Sequence, residues 1–144
     1  MFKNILIPTD GSSLSQRTAI RGVELAKAIG AKVTAFYAAP AATPVVFRKG
    51  MPVGFSQPAV SAARIEREAN RHLGAIEAAA KKARVRFEGL HATDDYPAEA
   101  ILKVAKKKKC DVIVMATHSD RGLFTSSVTR EVLDESKLPV LVFR

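Results

Sequence analysis

Apolar and polar positions repeat with two different periods along this chain, and each change of period marks an element. Four short, mainly apolar runs have the length and β-branched content of strands buried on both faces: Ile5-Leu6-Ile7, Val33 to Phe36, Val112 to Met115 and Val140 to Phe143. Between them the spacing becomes helical. Ser15 to Ile29 places Ala19, Val23 and Ala26 on one face and stops at Gly30, a residue suited to a left-handed cap. A longer stripe runs through Ala62, Ile65, Ala69, Leu73, Ile76, Ala80 and Ala83. A third helix is expected from Pro97 through Ile101, Leu102 and Ala105, and a fourth over about Ser127 to Ser136.

Val85 to His91 reads differently. Val85 and Phe87 alternate with Arg86 and Glu88, the pattern of an edge strand with one face in water. Alternating strands and helices predict right-handed crossovers and an α/β fold: one doubly wound parallel sheet of five strands in the order 3-2-1-4-5, with helices on both faces. Its topological switch falls between the first and fourth strands, so a ligand is expected at Thr9 to Ser12 and Ala116 to Ser127. Pro40 to Pro58, with four prolines and two glycines among Val45, Val46, Phe47 and Phe55, is expected to be a long loop, either a lid or a subunit contact. Val140 to Phe143 is apolar yet falls at a sheet edge, which needs cover. The same strand of a second copy supplies it in a two-fold homodimer; a flanking loop is the alternative.

With 144 residues, 47% hydrophobic and 26% charged, the chain is expected to form one domain over residues 1–144. Met1-Phe2-Lys3 leads straight into the first strand, leaving no room for an export signal, and no apolar run reaches the ~20 residues of a membrane helix. The lone Cys110 can form no internal disulfide. A cytoplasmic protein is expected. The net charge of +9 favours anionic partners without choosing among them. Its densest run, Lys106 to Lys109, ends a helix where cations suit the dipole, and no aromatic residue interrupts it as a nucleic-acid platform would require.

Three segments together carry a family resemblance: Asn4-Ile5-Leu6-Ile7-Pro8-Thr9-Asp10-Gly11-Ser12, Asp111-Val112-Ile113-Val114-Met115-Ala116-Thr117-His118 and Leu138-Pro139-Val140-Leu141-Val142. In order and spacing they resemble the first, fourth and last strands of the universal stress protein family. The resemblance implies a homodimer and, in one branch of the family, an ATP or AMP site, with Mg accompanying ATP. By position Asp10 would lie near the adenosine, with backbone at Pro8, Thr9 and, after the second strand, Ala38 lining the base pocket. A carboxylate there can accept from ribose hydroxyls; Asp10-Gly11 could equally form a turn and help Ser12 and Ser13 cap the first helix.

The phosphate half departs from the family pattern, in which glycines let bare amides approach the phosphates. Following Met115, the matching positions are Ala116, Ser119 and Ser126, then Ser127: all three glycines are replaced, and the stretch from Ser119 to Ser126 is about three residues short. Asp120 adds a negative charge that Arg121 and Arg130 could offset. Ser126-Ser127-Val128-Thr129 still begins a helix whose amides can face an anion. The degenerate motif implies a dimeric stress-response or regulatory protein with weak or absent ATP binding; the alternative is a nucleotide-dependent switch. A nucleic-acid binder has only the charge in its favour. No catalytic constellation stands out. His72, His91 and His118 lack metal-ligand spacing, with His72 read as a helix-flank residue, His91 at the edge strand and His118 near the presumed pocket. At most, slow hydrolysis of bound ATP is expected.

Overall fold

In the structure, a computed structural model describing residues 1–39, 46–48, 51–54, 58–94, 96–117 and 126–144, strands and helices follow in the order β1 (Asn4–Thr9), α1 (Ser13–Ile29), β2 (Lys32–Ala39), β3 (Val46–Arg48), β4 (Met51–Gly54), α2 (Pro58–Ala83), β5 (Phe87–Thr93), α3 (Pro97–Lys107), β6 (Val112–Ala116), α4 (Ser126–Glu135) and β7 (Val140–Phe143). The five-stranded sheet is parallel throughout, in the order β5-β2-β1-β6-β7. This is the expected 3-2-1-4-5 order once the separate β3-β4 pair is set aside.

Side chains leave each strand alternately and build two apolar layers. Ile5, Ile7, Val33, Ala35, Tyr37, Val112 and Val114 pack beneath α1 and α2, against Ala19, Val23, Ala69, Leu73, Ile76 and Ala80. Leu6, Phe36, Ala38, Ile113 and Met115 pack on the other face, against Ile101 and Ala105 of α3 and Val128 and Val132 of α4. Every residue of β1 is buried, as a central strand covered on both faces requires.

Several boundaries move for local reasons. Ser12 caps α1 by accepting from Ser15 N, so the helix begins at Ser13, ahead of the apolar pattern; Gly30 closes it at φ 71° and returns its N–H to Ala26 O. The edge strand begins at Phe87, not Val85. Arg84 adopts φ 60° and Val85 N still bonds Ala80 O, so these residues turn the chain out of α2. The expected structureless loop from Pro40 to Pro58 is corrected in part: Val46–Arg48 and Met51–Gly54 form an antiparallel pair, and Pro58 opens α2. Val46 and Phe47 are residue types favoured in strands, and in a two-stranded ribbon each strand is an edge strand, the place where a proline is tolerated. The remainder of that segment lies outside the described residues. Lys106 and Lys107 fall in the last turn of α3, and Lys108 pairs with Glu88 of β5, so the basic run ends a helix as expected.

A polar knot closes the amino ends of the strands. Buried Asn4 donates from Nδ2 to Lys108 O (3.0 Å) and Cys110 Sγ (3.4 Å), while its Oδ1 accepts from Thr34 Oγ1 (2.9 Å). The Asp111 carboxylate accepts from Lys3 N at 2.8 Å and Asn4 N at 3.1 Å. Burial pushes the Cys110 thiol above its ordinary value, partly opposed by its hydrogen bond with Thr34. Burial also raises the Tyr37 phenol, with Glu68 and Asp10 adding to the shift and Arg71 opposing it.

Both groups are neutral when protonated, and the folded chain holds each proton more tightly than the unfolded chain. Their contribution is therefore complete below the unfolded values, about 8.5 for Cys and about 10 for Tyr, and declines as pH rises past them. The urea midpoint should fall between pH 8 and 10, and Cys110→Ala should flatten the onset of that fall. A midpoint rising across this range would contradict the assignment.

Candidate functional site

Backbone direction decides where the sheet opens. Lys32 N bonds Lys3 O on the β2 side, whereas Asp111 N bonds Asn4 O on the β6 side. The alternation therefore aims the backbone groups of Asn4, Leu6 and residue 8 at β6. Residue 8 is a proline and has no N–H to give. Pairing of β1 with β6 covers only Ile5↔Val112 and Leu6↔Ile113, while β1 follows β2 as far as Thr9↔Tyr37 and β6 follows β7 to Ala116↔Phe143. Past Leu6 the two central strands are unpaired, and the crevice of the topological switch lies between their carboxyl ends.

Most of the expected site residues meet there. Pro8 and Thr9 end β1 and Asp10 follows; Met115 and Ala116 end β6; Val128 and Thr129 lie in the first turn of α4. Ala38 lies within β2, not after it, because that strand continues to Ala39. Ala38, Met115 and Val128 point into the apolar layer beneath α3 and α4, so backbone is what they can offer a ligand. Ala116 is 1% exposed, and its carbonyl accepts from Thr129 Oγ1 at 3.2 Å, tying the β6 exit to α4. Ser126 and Ser127 open α4, with only their helical backbone described; Ser119, Asp120, Arg121 and His118 lie outside the described residues.

The β1-α1 turn is held from within. Asp10 Oδ1 accepts from Ser12 N (2.9 Å) and Ser15 Oγ (2.8 Å), and Gly11 N donates to Thr9 Oγ1 (3.1 Å). Thr9 Oγ1 donates in turn to Gln16 Oε1 (2.9 Å), and Gln16 Nε2 reaches His72 O on α2 (3.1 Å). Asp10 thus shapes the turn as well as standing at the crevice, and the two sequence readings of this residue are compatible.

His72 went unrecognised as part of this region. Its ring stacks on Tyr37, centroids 5.5 Å apart, and covers Gly11 so closely that a Cβ there would meet the imidazole at 2.5 Å. Its Nε2 lies 3.5 Å from Glu68 Oε2, which also pairs with Arg71 at 2.8 Å. The helical spacing Ala69, His72, Ile76 was the available signal, since it places His72 on the buried side of α2. Among the described residues no three His, Cys, Asp or Glu side chains converge on a metal-sized point, and no helix is long and apolar enough to cross a membrane.

Comparison with known proteins agrees with this architecture. The pattern described as the universal stress protein family matches residues 1–144. A universal stress protein of Methanocaldococcus jannaschii is 32% identical over 147 residues, spanning 100% of this chain and 83% of that protein. The crystal structure of a protein of the same family from Burkholderia pseudomallei superposes with a TM-score of 0.77 at 22% identity, covering 99% of this chain and 96% of the other. A universal stress protein from Archaeoglobus fulgidus in complex with dAMP superposes at 0.67 with 16% identity, over 100% and 98%.

Proposed function

This chain belongs to the universal stress protein family, and from that premise we propose that it is a homodimeric regulatory protein whose crevice takes an adenine nucleoside monophosphate weakly and ATP poorly or not at all. The observation that carries this reading is the β6 exit. Where the binding branch of the family has bare backbone, this chain has the buried methyl of Ala116 and a Thr129 hydroxyl already bonded to the Ala116 carbonyl. The adenosine half is better kept: Asp10 stands at the mouth of the crevice, and the Archaeoglobus relative is in complex with the monophosphate dAMP. Nothing in this reading requires catalysis.

Titration calorimetry with AMP and ATP, with and without Mg²⁺, tests it. AMP is expected to bind with Kd on the order of 0.1–1 mM. Asp10→Asn keeps one oxygen for Ser12 and Ser15 but removes the charge, and should weaken AMP by about tenfold or more. Micromolar ATP binding that Asp10→Asn abolishes would replace this reading with a nucleotide-dependent switch.

The dimer part rests on β7. This strand ends the sheet with Leu141 42% exposed, beside a hollow of about 520 Å³ walled by Phe2, Leu25, Ile29, Pro139 and Val140. An apolar edge of this kind is suited to pairing with its symmetry mate. Leu141→Asp is expected to convert a dimer to a monomer in sedimentation velocity at micromolar concentration. A wild-type chain that sediments as a monomer would remove this part of the proposal.

A further inference from the structure

On the α1 side of β7, where Phe143 pairs with Ala116 at the β6 exit, three arginines line one small hollow. It measures about 140 Å³ and is lined by Leu14, Arg17, Thr18, Arg21, Phe143 and Arg144. That is the room of four or five waters at about 30 Å³ each, enough for one tetrahedral oxyanion with part of its hydration shell. No acidic side chain lines it, and none of the three guanidinium groups is in an ion pair among the described residues.

The arrangement is costly without an occupant. Arg17 and Arg21 are four residues apart on α1, the spacing at which like charges repel on a helix, and Arg144 brings a third guanidinium together with its α-carboxylate to the same place. Arg21 lies over the Phe143 ring with its guanidinium carbon 5.4 Å from the centroid, an exposed cation–π contact that favours this position. Thr18, a residue only 2% exposed, is among the lining residues, and its hydroxyl has no hydrogen-bond partner among the described residues. A buried hydroxyl normally has one.

We infer that Arg17, Thr18, Arg21 and Arg144 form a site for a phosphate dianion, either inorganic phosphate or the phosphate group of a small phosphoester. Guanidinium forks match phosphate oxygens in pairs. Three guanidinium groups and the Arg144 α-carboxylate sum to about +2, which a dianion balances better than a carboxylate would, and the Thr18 hydroxyl can donate to a phosphate oxygen. The inference does not depend on the nucleotide reading, although Arg144 also lines a second hollow with Thr129 of the crevice.

Thermal unfolding at constant ionic strength tests the inference, with low-millimolar inorganic phosphate or glycerol 3-phosphate replacing chloride. The wild type should melt higher, by about 4 °C when the anion reaches ten times its Kd. Arg17→Gln/Arg21→Gln should lose that rise while melting within about 2 °C of wild type in chloride, because relief of the repulsion on the helix offsets the lost Arg21–Phe143 contact. Asp10→Asn should keep the rise, which separates this site from the crevice. A response to both anions assigns phosphoesters as well as free phosphate, and a response to inorganic phosphate alone assigns the free ion. Equal shifts in wild type and the double variant, or no shift with either anion, would overturn the site.

Discussion

Replacing Gly11 by alanine is expected to destabilise the protein by about 2–5 kcal/mol, from two separate causes. Gly11 has φ 82°, a conformation that an L side chain adopts at a cost of about 1–3 kcal/mol. The added methyl would also stand 2.5–2.8 Å from three atoms of the His72 ring, which is confined by its stack on Tyr37. A melting point lower by about 6–15 °C follows for a chain of this length. The two causes separate in a double-mutant cycle: in a His72→Ala background the methyl has room, and only the backbone cost should remain. A Gly11→Ala protein melting within about 2 °C of wild type would show that the turn is free to rearrange. Because Asp10 precedes Gly11, the same substitution should also weaken any ligand that depends on that carboxylate.

The second large effect is expected at the opposite end of the sheet. Asn4→Ala removes three hydrogen bonds and leaves the fully buried Thr34 hydroxyl without Asn4 Oδ1 and the Lys108 carbonyl without a side-chain donor. The expected loss is about 2–4 kcal/mol, most of it from stranded polar groups and not from the bonds themselves. The urea midpoint should fall with the slope unchanged. Adding Thr34→Val deletes a hydroxyl that has lost its Asn4 acceptor and keeps only Cys110 as a partner, so the double variant should be less damaged than the sum of the two single ones. Strict additivity would mean that water or the Cys110 thiol satisfies Thr34 when Asn4 is truncated.

The sheet was legible in the sequence because burial on both faces leaves a direct trace. Ile5-Leu6-Ile7 and Val112 to Met115 are apolar without alternation, and only a central parallel strand needs that. The edge strand β5 was legible from its alternation, but its start was not, since Val85 is buried as part of the exit from α2. The β3-β4 pair was obscured by Pro52, which argues against a strand unless the edge it occupies is known. The ends of β1 and β6 and the start of α4 could be assigned to the switch point because that point follows from strand order. The contacts of His72 and the arginine hollow could not, since each joins side chains from elements far apart in sequence: α2 with the β1-α1 turn, and α1 with β7. The role of Pro8 lay between these cases. Its missing donor was evident in the sequence, but the direction in which that donor would have pointed required the backbone.

The central place of β1 also bears on how the chain is made. Its first neighbour, β2, begins at Lys32, but its second, β6, begins at Val112, and Asn4 bonds with Asp111 across 107 positions. At roughly 5–20 residues per second, a ribosome that has finished β2 needs about 4–15 s more to complete β6. Through that interval a strand apolar on both sides has one edge open, and neither the Asn4 knot nor the crevice between β1 and β6 can exist. The nascent chain is thus most exposed to chaperones and to misplaced pairing in the span between Ala39 and Val112, and that window closes only when the second half of the sheet arrives.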